Sequence, residues 1–343
     1  MSAKVGNRAG SATPACARRN PPCGAGPRAA ARPVSLVPVS MNASQLPVLA
    51  ATIGSAFGGT GAVAARLLAE DVGPAGVSLM RYLGLVALLL LAMAVFRLKF
   101  QRVRAADMPA LLAVGVLQFG LFGWFFSAGF GHVSAARGAI VLSTMPIQTL
   151  LLAALLGRER IVPTKLAGIA LGIAGVALAL WQDDAVASAD AWKGDLYLLA
   201  AAFVTSLNSV LVGTYLARYS VHTVSLVATT VGCVILGTVA LWNGEVAQVA
   251  ALDARGWAAL AYFAAGPTFL GFITWTWALS RVAPTRVTVT IVVNPIAAAI
   301  FGAWYLGEPL DPRVLAGLVL VSAAIVLVNW SPGGGEPRRD RPA

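Results

Sequence analysis

Ten predominantly apolar runs separated by short polar breaks dominate the chain, near residues 47–68, 75–96, 109–130, 133–157, 164–182, 194–216, 223–243, 256–280, 287–306 and 312–330. A helix needs about 20 such residues to cross the hydrocarbon core of a bilayer, and a helix satisfies its own backbone there. The breaks carry turn and charge signals: Glu70-Asp71-Val72-Gly73-Pro74, the basic stretch Arg97 to Arg104, and Asp183-Asp184 through Asp190. The pattern predicts an all-α integral membrane protein with ten transmembrane helices and loops too short for a soluble domain. Residues 1–45 hold no long apolar run, are rich in Ala, Pro, Arg and Gly, and read as a disordered extension. Met41, just ahead of the first run, is the expected true start, and the preceding segment lacks the apolar core of a cleavable signal peptide.

Composition sharpens this reading. The chain is 58% hydrophobic and 11% charged, whereas soluble domains carry about 25% charged residues. The formal +11 sits mostly at the ends: six Lys/Arg without an acid in 1–45 and a surplus of one in 331–343 leave +4 for residues 46–330. A nucleic-acid partner is thereby excluded, because binding needs cations gathered on a folded face. Cys16, Cys23 and Cys233 are too scattered for a disulfide framework or a zinc site. Cationic side chains are retained on the cytoplasmic side. With both termini inside, the inner loops and C-terminal tail hold 13 Lys/Arg, the N-terminal extension aside, and the outer loops hold Arg137, Lys193, Arg255 and Arg313. The expected location is a cell's inner (plasma) membrane, with both termini cytoplasmic.

Sliding the chain along itself by 149 residues aligns His132–Leu180 with Arg281–Asn329 without a gap, pairing Arg137 with Arg286, Pro146 with Pro295, Glu159 with Glu308, Pro163 with Pro312 and Gly168 with Gly317. Shared Arg, Pro and Glu at one offset indicate an internal repeat. The boundaries follow: repeat one over 46–182, a linker over 183–193, repeat two over 194–330 and a cytoplasmic tail over 331–343. Five spans per repeat is odd, so the second copy must cross the membrane in the opposite sense. Inverted repeats suit a carrier that exchanges which side is open around a midplane site.

Gly131-His132-Val133-Ser134-Ala135-Ala136-Arg137, running through Met145-Pro146 to Gly157-Arg158-Glu159-Arg160 and Leu166-Ala167-Gly168, resembles the EamA domain. Its echo is Arg281-Val282-Ala283-Pro284-Thr285-Arg286, Asn294-Pro295, Gly307-Glu308-Pro309 and Leu315-Ala316-Gly317. Ile53-Gly54-Ser55-Ala56-Phe57 and Met80-Arg81-Tyr82 are similar to that family's opening half-repeat. The resemblance, to the EamA family of the drug/metabolite transporter superfamily, spans about 47–330. It departs at Gly157-Arg158-Glu159, where the family usually has Gly and Glu adjacent. It implies a bundle of ten helices with cytoplasmic termini that moves small metabolites, often outward, without ATP hydrolysis.

Candidate chemistry lies inside the spans. Pro146 and Pro295 each remove the bond to the carbonyl four residues back, at Leu142 and Ile291, and so predict kinks in spans four and nine. They are hinge candidates, or kinks that merely preserve packing. Arg137, Val141, Thr144 and Gln148 share one face of span four. Thr52, Ser55 and Gly59 form a comparable stripe in span one, Thr205, Asn208 and Ser209 in span six, and Thr290 and Asn294 in span nine; Gln118 and Trp275 are further candidates. Polar stripes in hydrocarbon line a solute path or bond helix to helix, and the path is expected between spans one, three, four, six, eight and nine. Arg81, inside span two, is placed to draw an anionic or carboxylate group into the outer vestibule, to snorkel outward, or to pair with Glu70 or Asp71. Glu159 and Glu308 are candidate gating acids, though their places ahead of Pro163 and Pro312 favour stabilising the N-termini of spans five and ten. Gly54, Gly58 and Gly61 share a face suited to close helix contact. Trp181, Trp192, Trp242, Trp257 and Trp330, near span ends, read as interfacial belts.

The chain has no Walker-A loop, no HExxH and two histidines, so no enzyme chemistry, cofactor or metal is expected. The expected function is a secondary transporter exporting a small polar metabolite, such as an amino acid, or a drug, with a proton or other ion as candidate coupling species and a monomer or homodimer as the assembly. A lipid or lipid-linked sugar flippase and an integral-membrane transferase are the alternatives.

Overall fold

The computed structural model describes residues 45–157, 162–180, 190–216, 218–279, 281, 287 and 289–329. All lie within the second of the chain's two units, Met41–Ala343; Glu159, Arg286, Trp181, Trp330 and the extension with Met41 fall outside the described residues. Among those described, every regular element is helical. In chain order these are α1 (Gln45–Leu68), α2 (Pro74–Val95), α3 (Ala105–Phe130), α4 (Ala135–Leu155), α5 (Pro163–Leu180), α6 (Ala191–Leu216), α7 (Val221–Trp242), a short helix Glu245–Ala250, α8 (Ala254–Ala278), α9 (Thr290–Leu306) and α10 (Pro312–Asn329). Six of them, α1 to α4, α7 and α8, are long and apolar enough to cross a membrane; α5, α9 and α10 are shorter apolar helices.

The helix starts follow local chemistry. Pro74 and Pro312 open α2 and α10, where a missing N–H costs nothing. The Ser134 hydroxyl accepts from the Arg137 amide at the start of α4, the Asp253 carboxylate from the Gly256 amide at α8, and Asp311 from the Arg313 amide at α10. Both helices change their winding just ahead of the proline. α4 breaks at Ser143-Thr144 and restarts at Met145 with Pro146 in its first turn. The Ser143 and Thr144 hydroxyls donate to the Ala139 and Val141 carbonyls beside the break. In α9 a tight turn over Val289–Val292 precedes the helix containing Pro295.

Two rods are wound more loosely in their middles. Gly115–Leu121 of α3 and Ala264–Leu270 of α8 are π-helical, and they begin 149 residues apart, the offset of the sequence repeat. Pro267 explains the second, because it withdraws an amide from the α-helical ladder.

Packing partners recur when each helix is exchanged for the one five places along. α1 packs on α8 and α9, as α6 packs on α3 and α4; α2 packs on α8, as α7 packs on α3; α2 pairs with α7, and α5 lies along α10. The bundle is apolar outside and partly polar inside. Leu90, Leu91, Leu155, Ile173, Val234 and Val319 are exposed, whereas Ser78, Arg81, Ser127, Ser206, Thr223 and Thr229 are buried. That is the arrangement lipid imposes. Trp192, Trp242 and Trp257 are exposed near helix ends, as an interfacial belt requires.

Candidate functional site

A cavity of about 250 Å³ lies inside the bundle, walled by α1, α2, α3, α4, α8 and α9, near the lower end of common ligand pockets. Small residues on α1 make the room. A Cβ on Gly54 would fall 2.5 Å from the Thr274 hydroxyl, and one on Gly58 would fall 2.6 Å from the Asn294 amide nitrogen. The face read from Gly54, Gly58 and Gly61 is thus both a packing surface and part of the cavity wall. The π segments add to the wall at counterpart positions, with Gln118 and Phe119 from α3 and Pro267 and Thr268 from α8.

Of the residues singled out by sequence, Ser55, Arg81, Gln118, Trp275 and Asn294 line this cavity. Two more stand directly behind: the Asn208 amide donates to the Gln118 carbonyl oxygen at 3.0 Å, and Ser55 meets Thr290 across 3.2 Å between hydroxyls. Thr290 itself donates to the Val287 carbonyl, so Ser55 supplies the proton between them. Thr144 and Gln148 do not reach the wall, the Gln148 amide donating to the Thr144 hydroxyl at 2.9 Å. Pro146 and Pro295 stand next to the wall residues Met145 and Asn294. The lining departs from expectation in two helices: α2 forms part of the wall, and α6 does not, its Asn208 standing behind Gln118.

Arg81 is where the structure differs most from a vestibule cation. It is 4% exposed and pairs with neither Glu70 nor Asp71. Its Nη2 donates to the Tyr82 hydroxyl at 2.6 Å, and its guanidinium carbon lies 4.4, 5.0 and 4.9 Å from the ring centres of Tyr82, Phe126 and Phe263. Each such contact contributes about 0.5–2 kcal/mol. Sequence reading missed this aromatic wall, although Phe119, Phe122 and Phe126 recur at helical spacing along α3.

Three polar ties near helix ends were also missed. Arg137 does not join the Thr144 stripe; its Nε and Nη2 donate to the two carboxylate oxygens of Asp195 on α6, at 3.1 and 2.6 Å. Glu245, 5% exposed, accepts from the Gly76 amide in the first turn of α2 at 2.6 Å, while Gln248 accepts from Gly73. Glu308 stabilises a helix N-terminus, but that of α4: both its oxygens lie 3.0 Å from the Ala135 amide. The expected role at α10 is taken by Asp311, one residue before Pro312. Gly307, at φ +67°, makes the turn that carries Glu308 there, and Gly157, at φ +68°, has the same left-handed backbone in the first half.

Burial pushes the Glu308 carboxyl above its ordinary value, against the opposing pull of the Ala135 amide and the Arg66 charge. An acid whose pKa is raised by folding favours the fold while protonated. Its contribution is therefore complete below the ordinary glutamate range, about pH 4.3, and is lost as pH rises through the raised value. Unfolding midpoints measured in detergent across that window should fall with pH in the native protein, and Glu308→Gln should flatten the slope.

The profile of the EamA-like transporter family matches residues 45–181 and 192–330. A "Probable terminal-alkyne amino-acid exporter" of Streptantibioticus cattleyicolor is 30% identical over 267 residues, covering 78% of this chain and 87% of that protein. A "Probable amino-acid metabolite efflux pump" of Salmonella typhimurium is 28% identical over 225 residues, covering 63% and 75%. A solved crystal structure superposes with a TM-score of 0.61 at 16% identity, over 84% of this chain and 96% of its own, which shows a shared fold.

Proposed function

The chain belongs to the EamA-like transporter family, and from that premise we propose that it is a secondary transporter moving a small polar metabolite, an amino acid or similar, or a drug, outward across the cytoplasmic membrane by alternating access. The observation that carries this reading is the cavity, which is walled by helices of both matched segments and bordered by the π segments of α3 and α8. The recurrence of packing partners five helices apart favours ten spans arranged as two inverted repeats, residues 46–182 and 194–330. The Lys/Arg distribution favours cytoplasmic termini. In this reading Ser55, Arg81, Gln118, Trp275 and Asn294 meet the solute, Asn208 and Thr290 orient Gln118 and Ser55, and the breaks before Pro146 and Pro295 are hinges beside the path. Thr144 and Gln148 hold the α4 break rather than the solute. The relatives bear names of amino-acid exporters, which makes amino acids the first solutes to try.

Protein reconstituted into liposomes is expected to carry at least one member of a metabolite panel that includes amino acids, and an imposed pH gradient should change the rate if a proton is coupled. Uniform absence of flux across the panel sinks the reading.

A further inference from the structure

We propose that Arg81 holds the carboxylate of the transported solute, and that the cavity selects a monoanionic carboxylic acid with an apolar body over a zwitterion or a cation. This rests on the cavity being the solute path, and within that reading it ranks monocarboxylates ahead of amino acids, which are zwitterions at neutral pH. The Arg81 side chain lines the cavity while almost wholly removed from solvent, and its Nε is buried without a hydrogen-bond partner. Among the described residues no carboxylate pairs with it, and no Asp or Glu lines the cavity. Three aromatic faces offset part of the cost of burying this charge, but they leave the Nε proton unused. An unpaired charge and an orphaned donor are costly at low dielectric. A carboxylate supplies both the opposite charge and an acceptor for Nε.

Charge counting then distinguishes solutes. One carboxylate makes the occupied cavity neutral. A zwitterion brings an ammonium as well, and the remaining polar lining groups, Ser55, Gln118, Ser143, Thr268 and Asn294, carry no charge. The Gln118 carbonyl is already occupied by Asn208, and the rings of Tyr82, Phe126 and Phe263 already face a cation. An ammonium would thus leave water for a site without a counter-charge. The rest of the wall, including Phe119, Phe122, Phe272 and Trp275, fits an apolar or aromatic body.

Three probes sharing one phenyl-ethyl body test this in full-length protein in nanodiscs: 3-phenylpropanoate, phenylalanine and phenethylamine, with binding read by calorimetry. The expected order is 3-phenylpropanoate about tenfold or more tighter than phenylalanine, with phenethylamine weakest. Arg81→Gln should weaken 3-phenylpropanoate by about tenfold or more and level the series, whereas Arg81→Lys should keep the order at lower affinity. Phenethylamine binding as tightly as 3-phenylpropanoate, phenylalanine binding tighter than it, or an unchanged series in a folded Arg81→Gln protein overturns the proposal and leaves Arg81 as a packing element between α2, α3 and α8. If Arg81→Gln fails to fold, the native-protein series and Arg81→Lys decide. Liposome flux of a solute lacking a carboxylate, with none of the probes bound, removes the proposal and leaves the carrier reading standing; no flux and no binding removes both.

Discussion

Arg137→Ala is expected to lower the unfolding free energy by about 3–5 kcal/mol, the usual cost of leaving one member of a buried ion pair uncompensated. The two side chains are only 7% and 10% exposed and meet through a forked pair of hydrogen bonds. Asp195→Ala removes the other half of the pair and completes the set of single variants. The joint replacement Arg137→Leu with Asp195→Leu should recover much of the loss, because no charge is then stranded and the volume is filled. Unfolding in detergent, read as a double-mutant cycle, measures this directly. Additive losses in the joint variant would mean that the pair is not the unit at risk.

The second large effect is expected at Gly59. A Cβ there would run into the Asn294 carbonyl oxygen, and it would stand 2.8 and 2.9 Å from the Ala297 methyl and the Ala298 nitrogen. Two of these three obstacles are backbone, so α1 and α9 must separate. Gly59→Ala should cost about 1–3 kcal/mol and Gly59→Leu more, since overpacked interiors shift backbone rather than absorb volume. Gly237 is the internal control: its Cβ would meet only Leu79 side-chain carbons, at 3.6 and 4.0 Å. Gly237→Ala should therefore be neutral, or stabilising by up to about 1 kcal/mol, through the gain in helix propensity. Thermal unfolding of the three variants side by side distinguishes tight packing from a general intolerance of Gly→Ala.

The helices were legible because lipid leaves one periodic requirement, long apolar runs. Their starts were less so. α3 begins at Ala105 and α6 at Ala191, earlier than the apolar runs suggest, because charged residues in their first turns find partners. Asp107 accepts from Arg218 and the Tyr219 hydroxyl, and Asp195 from Arg137. A hydropathy reading treats such residues as loop; a paired carboxylate is compatible with a helix. The polar stripes included Ser55 and Asn294, which line the cavity, and Thr144 and Gln148, which bond to each other; Gln118, singled out apart from the stripes, also lines it. The partner of Arg137 and the helix served by Glu308 were illegible for another reason. Each lies on a separate element, 58 and 173 residues away along the chain, and spacing within one helix carries no trace of it.

The π segments bear on how this chain should be aligned with its relatives. Residues Gly115–Leu121 and Ala264–Leu270 each hold more chain per unit of axial rise than the windings on either side. A homologue lacking one residue there can tighten to an ordinary helix and keep both flanks facing their original neighbours. The same deletion in an α-helical stretch would turn everything beyond it by about 100°. Single-residue gaps should accordingly be placed inside these two stretches, even where neighbouring leucines and alanines score slightly better.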